Sequence, residues 1–179
     1  MIQEIKIAGN RVAVLIGKGG SVKKELEERT STKISIDSKE GSVQLEGEDA
    51  PLLLRGIEVV QAINRGFSPE RAFALLDDED LLLDVIDLSG LTDSPRQLDR
   101  LRGRIIGKDG RSREQIEHMT ECELSVFGKT VAIIGLPEQM KIARSAVDML
   151  LQGLPHEMVF AFLERKRREM KQNMIDYYY

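Results

Sequence analysis

The first third of the chain alternates, winds and alternates again. Ile5 and Ile7 flank Lys6 with the period of two that a half-buried strand requires. Asn10 is placed to cap a short helix that ends at Ile16, and the glycines at 17–20 break it. A second helix is predicted over 21–29, where Val22, Leu26 and Arg29 recur at helical spacing. Residues 33–37 and 43–46 alternate apolar and polar around the turn-rich stretch SKEGS, which predicts an antiparallel hairpin. Asp49 with Pro51 opens a longer helix that stops before Gly66, and Ser68 with Pro69 starts an additional one.

The same order returns ninety positions later. The stretch LIGKGGSVKKELEERTSTKISI answers to IIGKDGRSREQIEHMTECELSV, so that Gly17, Gly20, Leu26, Thr30, Ile34 and Ile36 fall on Gly107, Gly110, Ile116, Thr120, Leu124 and Val126. After a two-residue difference in the next loop, Val43, Leu45 and Gly47 match Val131, Ile133 and Gly135, and Phe73 and Leu76 match Phe160 and Leu163. The second copy has its own first strand at about 84–88 and a helix capped by Ser94 and Pro95 that reaches Ile106. Its hairpin turns on Gly128 and Lys129, its long helix starts at Pro137, and Gly153 ends that helix. Pro155 begins a last helix with Val159, Phe160 and Leu163 on one face and Arg165, Lys166, Arg167, Arg168 and Lys171 beyond, while Tyr177 to Tyr179 lie past any clear pattern. The organisation predicted is an α+β chain of two tandem domains: 1–76 with an added helix, an acidic joint at 77–93 that includes the first strand of the next domain, and 84–175 with a basic C-terminal helix.

Charge changes this picture more than composition does. The net charge of -4 counts against a protein that coats nucleic acid indiscriminately, but the charge is unevenly spread. From 77 to 93 there are seven acids and no base, and from 96 to 113 seven bases (Arg96, Arg100, Arg102, Arg104, Lys108, Arg111, Arg113) stand against Asp99 and Asp109. A local basic surface is therefore expected within an acidic total. Cys122 is the only cysteine, so no internal disulfide is possible, and with only His118 and His156 available no metal-ligand spacing is found. No run approaches the roughly 18 to 20 apolar residues of a membrane span, and the charged N-terminus does not suit a secretory signal. A soluble, unprocessed, cytoplasmic protein without cofactor is the expectation.

The chemistry sits in the repeated glycine turn. In Gly17-Lys18-Gly19-Gly20 and Gly107-Lys108-Asp109-Gly110, glycines let the backbone pass close to another chain, and the helix that follows offers unpaired N–H groups to phosphate. One such tetrapeptide is a weak signal, since glycines also simply end helices. Two, each preceded by Ile and followed by a helix and a hairpin in the same order, are a strong one.

The pattern V-x-x-x-I-G-x-x-G followed by a helix and a β-hairpin resembles the type I KH domain, in which the loop grips the backbone of about four nucleotides beside an apolar base groove. The resemblance gives Gly17, Lys18, Gly19 and Gly20, and Gly107, Lys108, Asp109 and Gly110, the phosphate role. Ala13 and Gly103 leave room for a base, Val14 and Arg104 line the groove, and Ile36 and Val126 lie on the strand along its other side. Lys23, Arg102, Arg111 and Arg113 add cations around the two loops. Beyond the single domain, GRIIGKDGRSREQIE, SVFGKTVAIIG and LLQGLPHEMVFAFLERKRRE are similar to the archaeal partner-of-Nob KH proteins, relatives of a eukaryotic small-subunit pre-rRNA processing factor. That resemblance implies single-stranded RNA binding near the 3′ end of small-subunit (16S) rRNA during ribosome assembly. It also implies contacts with the Nob endonuclease and the alpha subunit of translation initiation factor two. The sequence departs from the family pattern at Asp109 and at Phe160, where Tyr is expected.

An enzyme must supply a site, and the candidates fail. Gly17-Lys18 and Gly107-Lys108 resemble a Walker A fragment, but Val12 and Arg102 stand where its first glycine belongs, and Gly19 and Asp109 replace Ser or Thr. The carboxylates at 77–80 read as a solvated joint more readily than as a magnesium site. The competing class is a KH-fold protein-interaction scaffold or a general RNA-binding regulator, for which the acidic segment and the less basic first domain are suitable.

Overall fold

The structure, a computed structural model, describes all 179 residues. The chain divides into two compact units, Met1–Leu83 and Asp84–Tyr179. The first runs β1 (Ile2–Lys6), α1 (Gly9–Ile16), a 3-10 turn (Lys18–Gly20), α2 (Ser21–Thr30), β2 (Lys33–Asp37), β3 (Ser42–Glu46), α3 (Ala50–Asn64), α4 (Pro69–Ala72) and α5 (Ala74–Asp77). Its sheet has the order β1-β3-β2 with both pairs antiparallel, and Val43 of the central strand faces Ile5 on one side and Ile36 on the other. Leu15, Leu26, Ile34, Leu45 and Ile63 from the strands and helices are fully or almost fully buried, and each such side chain contributes about 1.5–3 kcal/mol of hydrophobic stabilisation. Asp49 caps α3 by accepting from the Leu52 N–H at 3.1 Å. Asn10 does not cap α1: the helix starts two residues earlier than such a cap would set it, at Gly9 with Ala8 as its N-cap. The Ala8 N–H donates instead to Asn64 Oδ1 at 2.9 Å, a partner 56 residues away that no local spacing could supply. The helix expected after Ser68 is two short ones that break at the buried Phe73.

The second unit repeats the plan with β4 (Leu82–Asp87), α6 (Pro95–Ile106), a 3-10 turn (Lys108–Gly110), α7 (Arg111–Thr120), β5 (Glu123–Phe127), β6 (Thr130–Gly135), α8 (Pro137–Leu151) and α9 (His156–Tyr178). Its sheet order is β4-β6-β5, with Val126 opposite Val131 in the antiparallel β5–β6 pair. The core gathers Ile105, Ile116, Leu124, Ile133, Val147, Val159 and neighbouring apolar residues, all buried. The chain thus has the expected α+β architecture of two tandem units, each a three-stranded antiparallel sheet packed by helices with extra helices at its C-terminal end. β4 starts at Leu82, two residues before the expected strand. α9 continues through Tyr177 to Tyr178, past the end of the apolar pattern. Its last turns are written in strong helix formers, and Lys166–Glu169 and Gln172–Asp176 pairs at 3.2 and 2.9 Å support them.

The two copies share ties that hold helix to sheet. Glu27 Oε2 accepts from the Ile34 N–H at 3.0 Å, and Glu117 Oε2 accepts from the Leu124 N–H at 2.9 Å. At the end of each central strand a glycine makes room for a neighbouring side chain, since a Cβ on Gly47 would lie 2.9 Å from Thr32 Cγ2 and one on Gly135 only 2.4 Å from Cys122 Sγ. Burial pushes the Cys122 thiol up to about 11. No helix is long and apolar enough to cross a membrane, and no group of three or more His, Cys, Asp or Glu side chains is gathered where it could hold a metal ion.

Candidate nucleic-acid interface

Both glycine turns have nearly the same backbone. Gly17 and Gly107 stand at φ +76° and +73°, and a Cβ there would come within 2.8 Å of the backbone nitrogen of Val22 or Ser112. Only glycine fits at these two positions, on both conformational and steric grounds. The Gly17 N–H closes α1 on Ala13 O at 2.9 Å, and the Gly107 N–H closes α6 on Gly103 O at 2.8 Å. Gly20 and Gly110 then adopt the left-handed conformation as N-caps of α2 and α7, and neither helix has a side-chain cap. The Ser21 and Arg111 N–H groups donate to Lys18 O and Lys108 O within the turns. The N–H groups that follow in the first turn of each ten-residue helix have no side-chain acceptor, at the end where the helix dipole is positive. Lys18 and Lys108 are exposed beside them. The third turn position is Gly19 in one copy and Asp109 in the other, both left-handed at φ +62° and +55°.

Around these turns, Ala13 and Gly103 are exposed, with nothing within 4 Å of where a Gly103 Cβ would sit. Val14, Ile36 and Val126 are half-buried on the flanking helix and strands. Lys23 is half-buried on α2, and Arg111 is exposed at the start of α7. Three of the basic side chains have intramolecular partners. Arg102 lies 3.8 Å from Asp99, and Arg113 pairs with Glu117 at 2.6 Å. The Arg104 guanidinium donates to Leu150 O and Leu154 O, at and just beyond the end of α8, so its charge is engaged within the domain.

Beside the second turn, α6, α7 and α9 enclose a concavity of about 520 Å³ lined by Arg104, Lys108, Ser112, Gln115, His156 and Phe160 among others. No motif in the sequence marks Ser112, Gln115, His156 or Phe160 as site residues. His156 lies 52 residues from Arg104, whose carbonyl oxygen accepts from its Nε2–H at 2.8 Å, and no local spacing announces that contact. Arg100, also on this wall, is visible in sequence only as one more member of the basic run. A larger concavity of about 760 Å³ in the first unit is lined by Arg29, Leu54, Arg55, Glu58, Glu79 and Asp80 among others. It offers no phosphate attraction. Arg29 is paired with Asp77, and Arg55 is held by Glu58 and by the carbonyls of Glu79 and Leu81.

Comparison with known proteins agrees with this geometry. Residues 2–62 match the KH domain, and residues 82–168 match the second KH domain of PNO1, described as a eukaryotic type KH-domain of type I. A KH domain-containing protein of Methanocaldococcus jannaschii is 45% identical over 95% of this chain and 76% of its own length. The pre-rRNA-processing protein PNO1 of Candida albicans is 26% identical over 95% of this chain and 63% of its own. Among solved structures, a chain in the a/eIF2alpha–aDim2p–rRNA complex from Pyrococcus horikoshii is 47% identical. It superposes with a TM-score of 0.88 over 94% of this chain and 95% of that one. With two KH domains in series, a duplicated glycine turn and relatives that match along nearly its whole length, this chain belongs to the PNO1/Dim2 family of tandem KH-domain proteins.

Proposed function

We propose that this chain is a ribosome-assembly factor that binds single-stranded RNA, takes the 3′ region of small-subunit rRNA as its target, and acts by binding without catalysis. The observation that carries the reading is the pair of glycine turns, each delivering the uncapped N-terminus of a helix and an exposed lysine to the same place. A phosphate would accept from N–H groups of the first turn of α2 or α7 beyond Ser21 or Arg111, with Lys18 or Lys108 as counter-charge. Bases would lie over Ala13 or Gly103 against Ile36 or Val126, in an aliphatic groove that selects unpaired strands. Asp109, Arg102, Arg111 and Arg113 set the local field around the second turn. The rRNA named with the Pyrococcus Dim2p, and the pre-rRNA processing named for the Candida relative, support this target class. The same reading includes an adaptor role in the cytoplasm, with the Nob endonuclease and the alpha subunit of initiation factor two as partners, and the a/eIF2alpha named with the Pyrococcus Dim2p supports the second of these.

A duplex has no unstacked bases for such a groove, and counterion release ties affinity to salt. Fluorescence anisotropy should therefore find a single strand with the small-subunit 3′ sequence bound well above the same sequence paired. Log affinity should fall with log salt at a slope of about -0.7 per neutralised phosphate. Equal affinity for single strand and duplex, or cleavage of the RNA by the pure protein, would overturn the reading.

A further inference from the structure

The concavity between α6, α7 and α9 of the second unit adjoins the groove through Gly103, Arg104 and Gly107 and extends away from the strand wall formed by Val126, since none of its lining residues comes from a strand. Arg100, Lys108 and Arg111 give it a positive rim. His156 and Phe160 bring two rings from α9, with centroids 6.1 Å apart and tilted by 58°. The His156 ring is fixed by its Nε2–H donating to Arg104 O at 2.8 Å. Ser112 lines the same pocket, is 4% exposed, and its Oγ has no hydrogen-bond partner. A buried hydroxyl without a partner is costly, so a polar group that enters this pocket and reaches it would be favoured.

The first unit supplies an internal comparison. By the repeat, Ser112 corresponds to Val22, Gln115 to Glu25, Arg100 to Asn10 and Arg111 to Ser21. Both arginines of the rim, the hydroxyl and the amide belong to the second copy alone. Cations at the rim, an aromatic wall and neutral hydrogen-bonding groups on the inner wall together match a nucleotide: phosphate outside, base against the rings, base edge on Ser112 and Gln115.

We propose that this pocket is a subsite for one nucleotide of the bound RNA, next to the nucleotides held by the Gly107–Gly110 turn. Gly103, Arg104, Gly107, Lys108 and Arg111 lie on both sites and carry the strand from one to the other, while Arg100, Ser112, Gln115, His156 and Phe160 belong to the pocket alone. The inference rests on the proposed RNA-binding function. A free mononucleotide has the same chemistry, and the strand is preferred because two cations of the turn form part of the pocket's own rim.

The test measures affinity of the full chain for single-stranded oligonucleotides of four to eight nucleotides, in the wild type and in Phe160→Leu and Gln115→Glu. Phe160→Leu keeps an apolar side chain against the core, and Gln115→Glu changes an exposed residue, so both should fold. The wild type should gain affinity between the tetramer and the longer strands. Each variant should lose about tenfold on the octamer, the scale of one base–aromatic stack, with tetramer binding unchanged. Equal losses on tetramer and octamer, or no loss on either, would overturn the subsite. Adenosine monophosphate that binds the protein equally with and without saturating octamer would also overturn it, in favour of a free nucleotide. A wild type that binds no oligonucleotide would instead remove the functional reading beneath it.

Discussion

The side chain of Arg104 closes the end of the helix that carries Leu150: its Nε–H donates to Leu150 O at 2.9 Å, and the same guanidinium reaches Leu154 O. In the first unit Arg11 does the same, with Nε donating to Ile63 O at 2.7 Å and a terminal nitrogen to Phe67 O at 2.8 Å. The carbonyls are equivalent in the repeat and the arginines are not, since position 104 corresponds to Val14, one helical turn further along. A planar fork at a helix C-terminus satisfies orphan carbonyls and opposes the negative end of the dipole. Burial lowers the Arg11 pKa from its ordinary value, the cost of holding a charge there. Arg104→Ala should lower the unfolding free energy by about 1.5–3 kcal/mol, the range for a hydrogen bond that involves a charged group. Arg104→Lys should recover little of it, because one ammonium cannot span both carbonyls. Urea unfolding followed by circular dichroism gives both values, and a stable Arg104→Ala protein would show the clasp to be dispensable.

The second KH domain should contribute more of the RNA affinity than the first. The wall of its turn carries Arg100, Lys108 and Arg111, whereas the first copy has Asn10, Lys18 and Ser21 at those positions. Lys108→Asp should weaken RNA binding and flatten its salt dependence by about 0.7 in slope for each phosphate that is no longer neutralised. Lys18→Asp combined with Gly19→Asp, which gives the first turn the same sequence, should do less. Anisotropy titrations at equal salt decide it, and a larger drop in affinity for the first-turn double variant would reverse the assignment.

Asp109 is held left-handed at φ +55°, where its counterpart Gly19 stands at +62°. Asp109→Gly removes both the conformational cost and a carboxylate beside the phosphate path, while adding unfolded-state entropy. The variant should bind RNA several-fold more tightly, with stability within about 1 kcal/mol of the parent. Weaker binding by Asp109→Gly would mean that the carboxylate orients Lys108 or the RNA rather than opposing it.

Cys122 gives the protein an alkaline weakness. Its thiol is pushed from an ordinary value near 9.0 up to about 11 in the folded state, chiefly by burial. Between those values the unfolded chain has released its proton and the folded chain has kept it, so stability falls as pH rises. The fall from this group is about 2–3 kcal/mol between pH 9 and pH 11, at 1.36 kcal/mol per unit. Below pH 9 the contribution is complete and flat. Cys122→Ala should be less stable at neutral pH, because it removes the sulfur packed over Gly135. Its stability should nevertheless decline less steeply above pH 9. Parallel slopes for the two proteins in urea titrations at pH 8 to 11 would exclude this residue as the cause.

What sequence could announce here was whatever repeats or caps locally. Gly17 and Gly107, the strand Lys33–Asp37, and Asp49, Ser94 and Pro137 at helix starts are signals contained within a few residues, and the fold follows them closely. The misplaced features depend on distant partners. Asn10 looks like a cap until Asn64, 54 positions on, anchors the N–H of Ala8, the residue that stands at the N-cap. Arg104 looks like a groove cation until the end of α8 claims its guanidinium. Ser112 is an ordinary helix residue until α9 folds His156 and Phe160 toward it. The two glycine turns were therefore legible, and the pocket beside the second of them was not.

The crowding around Gly17 and Gly107 also bears on how such a protein can change over generations. Any side chain at either position collides with the backbone of the helix that follows, so the first place in each tetrapeptide is closed to variation. The second and third places point into open water at Lys18, Gly19, Lys108 and Asp109. Drift and selection are thus confined to two positions per turn, where a new charge alters the attraction for a nucleic acid without refolding the turn. A duplicated domain with this constraint can have one copy retuned toward a stronger or weaker grip while the other keeps its inherited role, and Asp109 opposite Gly19 is a divergence of that permitted kind.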